Sequence, residues 1–123
     1  MEESSESFNM AVATLMRLDG ILKRMELASE ILYGVNEQRL QIKLLRHFFS
    51  NATPLMGIAM KPEEFESYKK RVFAVKLRSK VVRGRRIIYY DYSLDDEIMS
   101  IVMEIQLKIK GYFMPTTKKK RMF

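Results

Sequence analysis

Cysteine is absent from this chain, and histidine occurs once, at His47. Without thiols there is no disulfide framework, no thiolate zinc site and no thiol nucleophile. His47 lies beside Phe48 and Phe49 in a helical pattern and reads as a helix-surface or partly buried side chain. We read no Ser-His-Asp or multi-histidine metal constellation around it. Glycine and proline are scarce too, at five and three in 123 residues, which leaves little material for tight turns and favours few, long helices. No apolar run approaches the roughly 18 residues a membrane span needs. The start, Met1-Glu2-Glu3-Ser4-Ser5-Glu6, is acidic and unlike a signal peptide, so a cytoplasmic location is expected. These absences point away from an enzyme and from any cofactor or metal.

What is present suits one globular domain. Hydrophobic residues make up 47% and charged residues 30% of the chain, which is enough apolar material for a core without staples. We expect residues 1–115 to form a single helical domain and 116–123 a basic tail.

Periodicity places the elements. Phe8, Ala11, Leu15, Leu18, Leu22 and Met25 recur at steps of three and four, widened by Ile21 and Ala28. This predicts a helix over about 7–32, capped by Ser5 or Ser7 and stopped at Gly34. Asn36 then caps a second, antiparallel helix with Leu40, Leu44, Leu45 and Phe48 inward, ending or kinking near Asn51 because Pro54 follows. Residues 55–60 read as an irregular link or a short turn of helix. Lys61-Pro62-Glu63-Glu64 is a helix start, with proline at the first position and carboxylates at the positive end of the dipole. Ser93 is expected to cap a last helix that buries Ile98, Val102, Ile105 and Ile109 and stops at Gly111. Met25, Met56, Met99 and Met103 are assigned to filling the core.

Residues 75–92 allow two readings. Phe73, Val75, Leu77, Ser79 and Val81 alternate with strand period, yet Val75, Ser79 and Val82 also extend a helical stripe. After Gly84, Ile87-Ile88-Tyr89-Tyr90 with Tyr92 has high strand propensity. The fold expected is an all-α bundle of about four helices. The alternative is a winged-helix-like α+β arrangement with one hairpin at about 75–92.

Charge is the strongest functional signal. Residues 1–61 are neutral overall, while 62–123 carry fifteen basic and eight acidic side chains, the whole net charge of +7. Lys69, Lys70, Arg71, Lys76, Arg78, Lys80, Arg83, Arg85 and Arg86 follow one another without an acid. Lys118, Lys119, Lys120 and Arg121 form a second cluster. Such asymmetry suits a polyanion-facing surface. Candidate contacts are Lys76, Arg78, Lys80, Arg83, Arg85 and Arg86, with Tyr89 and Tyr90 stacking or hydrogen-bonding and the 118–121 cluster assisting. The runs Glu63-Glu64 and Asp95-Asp96-Glu97 are explained by the helix dipole without chemistry.

Two resemblances add to this. Leu18-Asp19 with Leu22-Lys23, Pro54-Leu55-Met56, Glu63-Glu64-Phe65, Arg83-Gly84-Arg85-Arg86-Ile87, Leu94-Asp95-Asp96-Glu97 and Lys110-Gly111-Tyr112-Phe113-Met114-Pro115 together resemble a family of small helical proteins from microbial viruses and other mobile elements. That resemblance implies an all-α fold and carries no function. Ile88-Tyr89 stands where that family tends to have prolines. Locally, Leu77-Arg78-Ser79-Lys80 followed by Arg83 to Tyr90 is similar to the wing of winged-helix repressors. There a basic tip touches DNA beside a recognition helix, but Glu63, Glu64 and Glu66 make the preceding helix a poor one to present to phosphates.

Three functions are carried forward. One is a virus- or mobile-element-encoded accessory protein, in the host cytoplasm, binding nucleic acid mainly through its backbone. Another is an inhibitor or modulator docking on an acidic protein surface of a host machine. The last is a virion or assembly component. A homodimer through the 7–32 helix is a further expectation.

Overall fold

The computed structural model describes residues 2–114, and side chains from Phe8 onward. Four helices and one hairpin follow in order: α1 (Glu2–Ile31), α2 (Gly34–Ala59), α3 (Pro62–Ala74), β1 (Arg78–Val82), β2 (Arg85–Tyr89) and α4 (Tyr92–Phe113). This is a mostly α bundle, with the hairpin of the alternative reading inserted between α3 and α4. The 116–123 tail lies outside the described residues.

Helix α2 is the central member, packed against α1, α3 and α4, while α3 also meets α4. The seam read from the α1 sequence is spent inside the chain: Ala11, Leu15, Leu18, Ile21, Met25 and Ala28 are all buried, with Leu22 packed at its edge. Phe8 departs from it and is 54% exposed. From α2 come Leu45, Phe48, Phe49, Ala52, Leu55 and Met56; α4 adds Leu94, Ile98, Ile101, Val102, Ile105 and Ile109. The order of side-chain contacts between α1 and α2, Ser29 to Glu37 and then Met25 to Gln41, confirms their antiparallel packing.

Several boundaries differ from expectation, each for a local reason. Helix α1 runs through Ser5 and Ser7, so neither is its cap. Gly34 takes the positive φ expected of a glycine turn, +70°, but as the first residue of α2 rather than the stop of α1. Tyr33, in extended backbone, precedes it in place of an Asn36 cap. Pro54 does not end α2, which continues as helix to Ala59, the helical of the two readings for 55–60. Proline removes one intrahelical donor, and nearby side chains reinforce the preceding turn. Thr53 Oγ1 donates to the Phe49 carbonyl at 2.8 Å and Asn51 Nδ2 to that of His47 at 2.9 Å.

The last helix also starts and ends elsewhere. Its N-cap is Asp91, whose carboxylate accepts from the Ser93 amide at 3.0 Å and the Ser93 hydroxyl at 2.9 Å. Ser93 thus supports the cap instead of being it. Gly111 lies inside α4, which takes in Tyr112 and Phe113 as well. Met25 and Met56 fill the core, whereas Met99 and Met103 are 42% and 46% exposed.

Polar side chains hold the bundle at points where apolar ones were expected. On α2, Leu40 and Leu44 are only partly buried, while Gln38 and Gln41 are buried. Gln38, fully enclosed, donates through Nε2 to the Asp91 carbonyl at 2.7 Å and accepts the Asp91 amide at 3.4 Å. It thereby imitates a backbone partner for the residue that joins the hairpin to α4. Helix α3 is tied to α4 by a forked pair, Arg71 Nη1 and Nη2 to Glu104 at 2.8 and 3.1 Å, with Tyr68 and Ser100 hydroxyls on the same carboxylate. The start of α3 is held by Glu64, which accepts the Lys61 amide and pairs with Lys108 of α4.

Two outcomes follow for stability. Gln38→Leu strands the backbone groups of Asp91 and lowers the unfolding free energy by about 2 kcal/mol, measured by urea denaturation. The second concerns acid. The Arg71 guanidinium, aided by Ser100 and Tyr68, holds the Glu104 carboxyl at about 2 against its ordinary 4.5. The contribution of that pair is therefore complete above pH 4.5 and is lost as pH falls toward 2. Glu104→Gln flattens the stability profile in that window, read from thermal midpoints against pH.

Candidate functional site

The hairpin closes with two residues. Val82 pairs with Arg85, and the turn between them has φ of +52° at Arg83 and +78° at Gly84. Positive φ at both central positions is the mark of the type I′ turn that matches strand twist. Gly84 takes it without cost. Arg83 is the only described non-glycine residue with positive φ, in a region where asparagine would be the easier choice.

Pairing also sorts the side chains. Arg78, Lys80, Val82, Arg85, Ile87 and Tyr89 share one face, and Ser79, Val81, Arg86 and Ile88 the other. Neither face is covered, since every residue from Lys80 to Ile88 is exposed. Val81 is 62% exposed, and Val82, Ile87 and Ile88 are also open to solvent. The hairpin is thus an arm of about 16 Å, attached to the bundle at its base, where β2 meets α2.

The base is built from residues that the sequence offered as ligand contacts. Arg78 donates to Asp91 and to Glu97, both at 3.1 Å, and the first of these pairs joins the two strand ends. Tyr90 donates its hydroxyl to Asp95 at 2.7 Å, and that carboxylate pushes the phenol up to about 12. Arg78 and Tyr90 therefore also fasten the arm to the bundle, each through a carboxylate of its own. Arg71 is likewise committed to Glu104. Ser93 and Arg78 together hold the Asp91 carboxyl below its ordinary value.

The remaining cations are differently placed. Lys80 lies 5.0 Å from the centre of the Tyr89 ring, and Arg86 donates to Ser79 at 2.8 Å. These diagonal contacts lie on opposite faces and leave both charges at the surface. Lys76, Arg83 and Arg85 have no ion-pair partner among the described residues and are exposed. The structure thus brings Lys80, Arg83, Arg85 and Arg86 together on one projecting element, with Lys76 on the link before β1. Lys118, Lys119, Lys120 and Arg121 lie outside the described residues.

Elsewhere, Arg17 and Arg24 of α1 flank an open cleft with His47 and Asn51 of α2. His47 is exposed there, as its sequence context suggested. Among the described residues no group of three His, Cys, Asp or Glu is placed to hold a metal ion, and no helix is long and apolar enough to cross a membrane. Comparison of the chain with family models, curated proteins and solved structures finds no match to any of them.

Sequence reasoning missed Gln38 and Asp91 as the arm's anchors. The available signal was Gln38 at a position where the helical stripe Leu45, Phe48, Ala52 extended backward calls for an apolar side chain. A strain-relief substitution tests the turn assignment: Arg83→Asn raises unfolding free energy by about 0.5–1 kcal/mol, measured by chemical denaturation.

Proposed function

We propose that this protein is a nucleic-acid-binding accessory protein of a virus or mobile element, acting in the host cytoplasm without catalysis. Its contact element on this reading is the β-arm, and its contacts are mainly to phosphates. The observation that carries the reading is Arg83. A cation stands at a backbone position that favours glycine or asparagine, at the end of an arm with Lys80, Arg85 and Arg86 exposed beside it. Local strain of this kind directs attention to function. A solvated face kept only for solubility mixes its signs, and this arm has no acid from Arg78 to Tyr90.

The dimensions suit the assignment. A two-stranded ribbon fits the major groove of duplex DNA, and guanidinium groups at its tip and edges can take phosphate oxygens in pairs. Val81, Val82, Ile87 and Ile88 supply apolar contact area along the same ribbon. Base-specific recognition is not part of the proposal: the exposed arginines, which could also pair with guanine, are assigned to phosphates, and the arm has no Asn, Gln or acid to read adenine or cytosine. The same exposed aliphatic residues favour a second reading, docking of the arm on an acidic protein surface of the host. A homodimer, on either reading, would need a face other than the α1 seam, which is buried within the chain.

Anisotropy titrations of labelled duplex and single strands against salt decide between these readings. Binding weakens steeply with salt, and the triple variant Arg83/Arg85/Arg86→Ala reduces the slope of log affinity against log salt by about 3. Arg83→Asn weakens binding while it stabilises the fold, so loss of affinity cannot be attributed to unfolding. Dissociation constants weaker than about millimolar at low salt, where non-specific binders reach about 0.1 mM or better, would sink the reading and leave the protein-partner one.

A further inference from the structure

The first half of the chain is neutral in sum, yet folding separates its charges. Arg17 and Arg24 of α1 meet His47 and Asn51 of α2 across the open cleft. Lys43 stands one turn before His47, and Arg39 and Arg46 lie four and three residues from Lys43, so these side chains share one side of α2. All five cations and His47 are exposed. They are five of the seven bases in residues 1–61.

The described acids of that stretch are turned elsewhere. Asp19 accepts from Gln106 of α4 at 3.1 Å, and Glu26 and Glu30 follow it at steps of seven and four, on the same side of α1. Glu37 is buried against Ser29 and Gln41. Helix α3 carries Glu63, Glu64 and Glu66 in its first turns, beyond the far end of α2 from Arg39. No ion pair among the described residues involves Arg17, Arg24, Arg39, Lys43 or Arg46.

This face continues into the root of the arm. Arg46 donates to the Val75 carbonyl at 3.2 Å and lies 5.6 Å from the centre of the Phe73 ring. Val75 leads directly into Lys76, the exposed cation before β1. Beside Arg39, Gln38 holds Asp91 at the end of β2.

The form of the surface selects its partner. From Arg39 to His47 the helix rises about 12 Å, so the charge is spread along an open row and not gathered around one small anion. The exposed residues of α2 between 36 and 50 are Asn36, Arg39, Lys43, Arg46, His47 and Ser50, all polar. A protein partner would require an apolar centre, whereas interfaces with nucleic acid are polar and positively charged. We propose that the α1–α2 face is a second nucleic-acid surface, which takes the phosphate backbone of a duplex beside the segment held by the arm. It rests on the nucleic-acid reading of the protein and adds a contact made by the bundle itself.

The test is salt-titrated anisotropy of the full chain on a labelled DNA duplex at constant pH. Arg24/Arg39/Lys43→Ala removes three cations that make no side-chain hydrogen bond or ion pair among the described residues, at exposed helical positions where alanine keeps helix propensity. It lowers the slope of log affinity against log salt by about 2 to 3, and this loss adds to that of Arg83/Arg85/Arg86→Ala. Lys23/Lys70/Lys110→Ala removes equal charge outside the face and changes the slope by less than about 1. His47, the single histidine, reports on the parent protein without any substitution, and its ring proton resonances shift as duplex is added. A slope for Arg24/Arg39/Lys43→Ala equal to that of the lysine control, or a His47 signal unmoved at saturation, overturns this surface and leaves the arm standing. Parental binding by Arg83/Arg85/Arg86→Ala together with loss in Arg24/Arg39/Lys43→Ala supports the face and removes the arm. A parent that binds no duplex at low salt sinks both.

Discussion

Asp91 is the residue on which the arrangement of hairpin and bundle depends. Its backbone amide and carbonyl are both taken by the buried Gln38 of α2. Its carboxylate caps α4 through Ser93 and pairs with Arg78 at the opposite strand end. One residue therefore sets where β2 stops, where α4 starts and how both sit on the central helix. The contact has a physical logic. A chain leaving a strand to enter a helix exposes an amide and a carbonyl that belong to neither ladder, and burial beside α2 makes leaving them unpaired costly. Gln38 meets both with one amide group. A hydrophobic residue at that position would pack equally well and satisfy neither.

The anchor explains how an otherwise unsupported ribbon holds its form. An isolated two-stranded hairpin is marginal in water, and this one buries none of the residues from Lys80 to Ile88. Its order comes from a well-matched turn at one end and from Arg78, Asp91, Tyr90 and Asp95 at the other. Strand pairing between these two ends needs only side chains with strand propensity, which Val81, Val82, Ile87 and Ile88 provide. The arm can thus leave both faces uncovered.

Much of this was legible in the sequence, and the failures share a cause. The apolar repeat of α1, the proline start of α3 and the inward stripe Ile98, Val102, Ile105, Ile109 were readable because burial and periodicity coincide there. Strand propensity at Ile87 to Tyr90 and the Arg83-Gly84 turn made the hairpin one of two readings for 75–92. What periodicity could not convey was the role of polar side chains. Gln38 and Gln41 look like surface residues until the tertiary fold buries them. Thr53 and Asn51 look like the fraying end of a helix, yet they reinforce the turn before Pro54. Arg78 and Tyr90 were indistinguishable from their neighbours in the basic run, because a charge reveals its partner only in space. Asp91 and Ser93 are both good caps by residue type, and the choice between them depends on which is also reached by Gln38.

The same spatial sorting explains why the charge asymmetry concentrates on the arm. Acids of the second half stand on α3, on α4 or at Asp91, and none lies between Ser67 and Tyr90. Those acids neutralise cations that face the bundle: Glu104 takes Arg71, Glu97 and Asp91 take Arg78, and Glu64 takes Lys108. Each such pair is partly exposed and contributes modestly to stability, but each also withdraws one cation from the surface field. At the hairpin base Arg78 is paired twice, with Lys76 left free beside it, and beyond the base pairing with acids ceases. Lys80, Arg83, Arg85 and Arg86 then lie farther along a ribbon that no acidic side chain shares, so their fields add. A basic run spread evenly along the sequence becomes, once folded, a partly neutralised root and a charged tip.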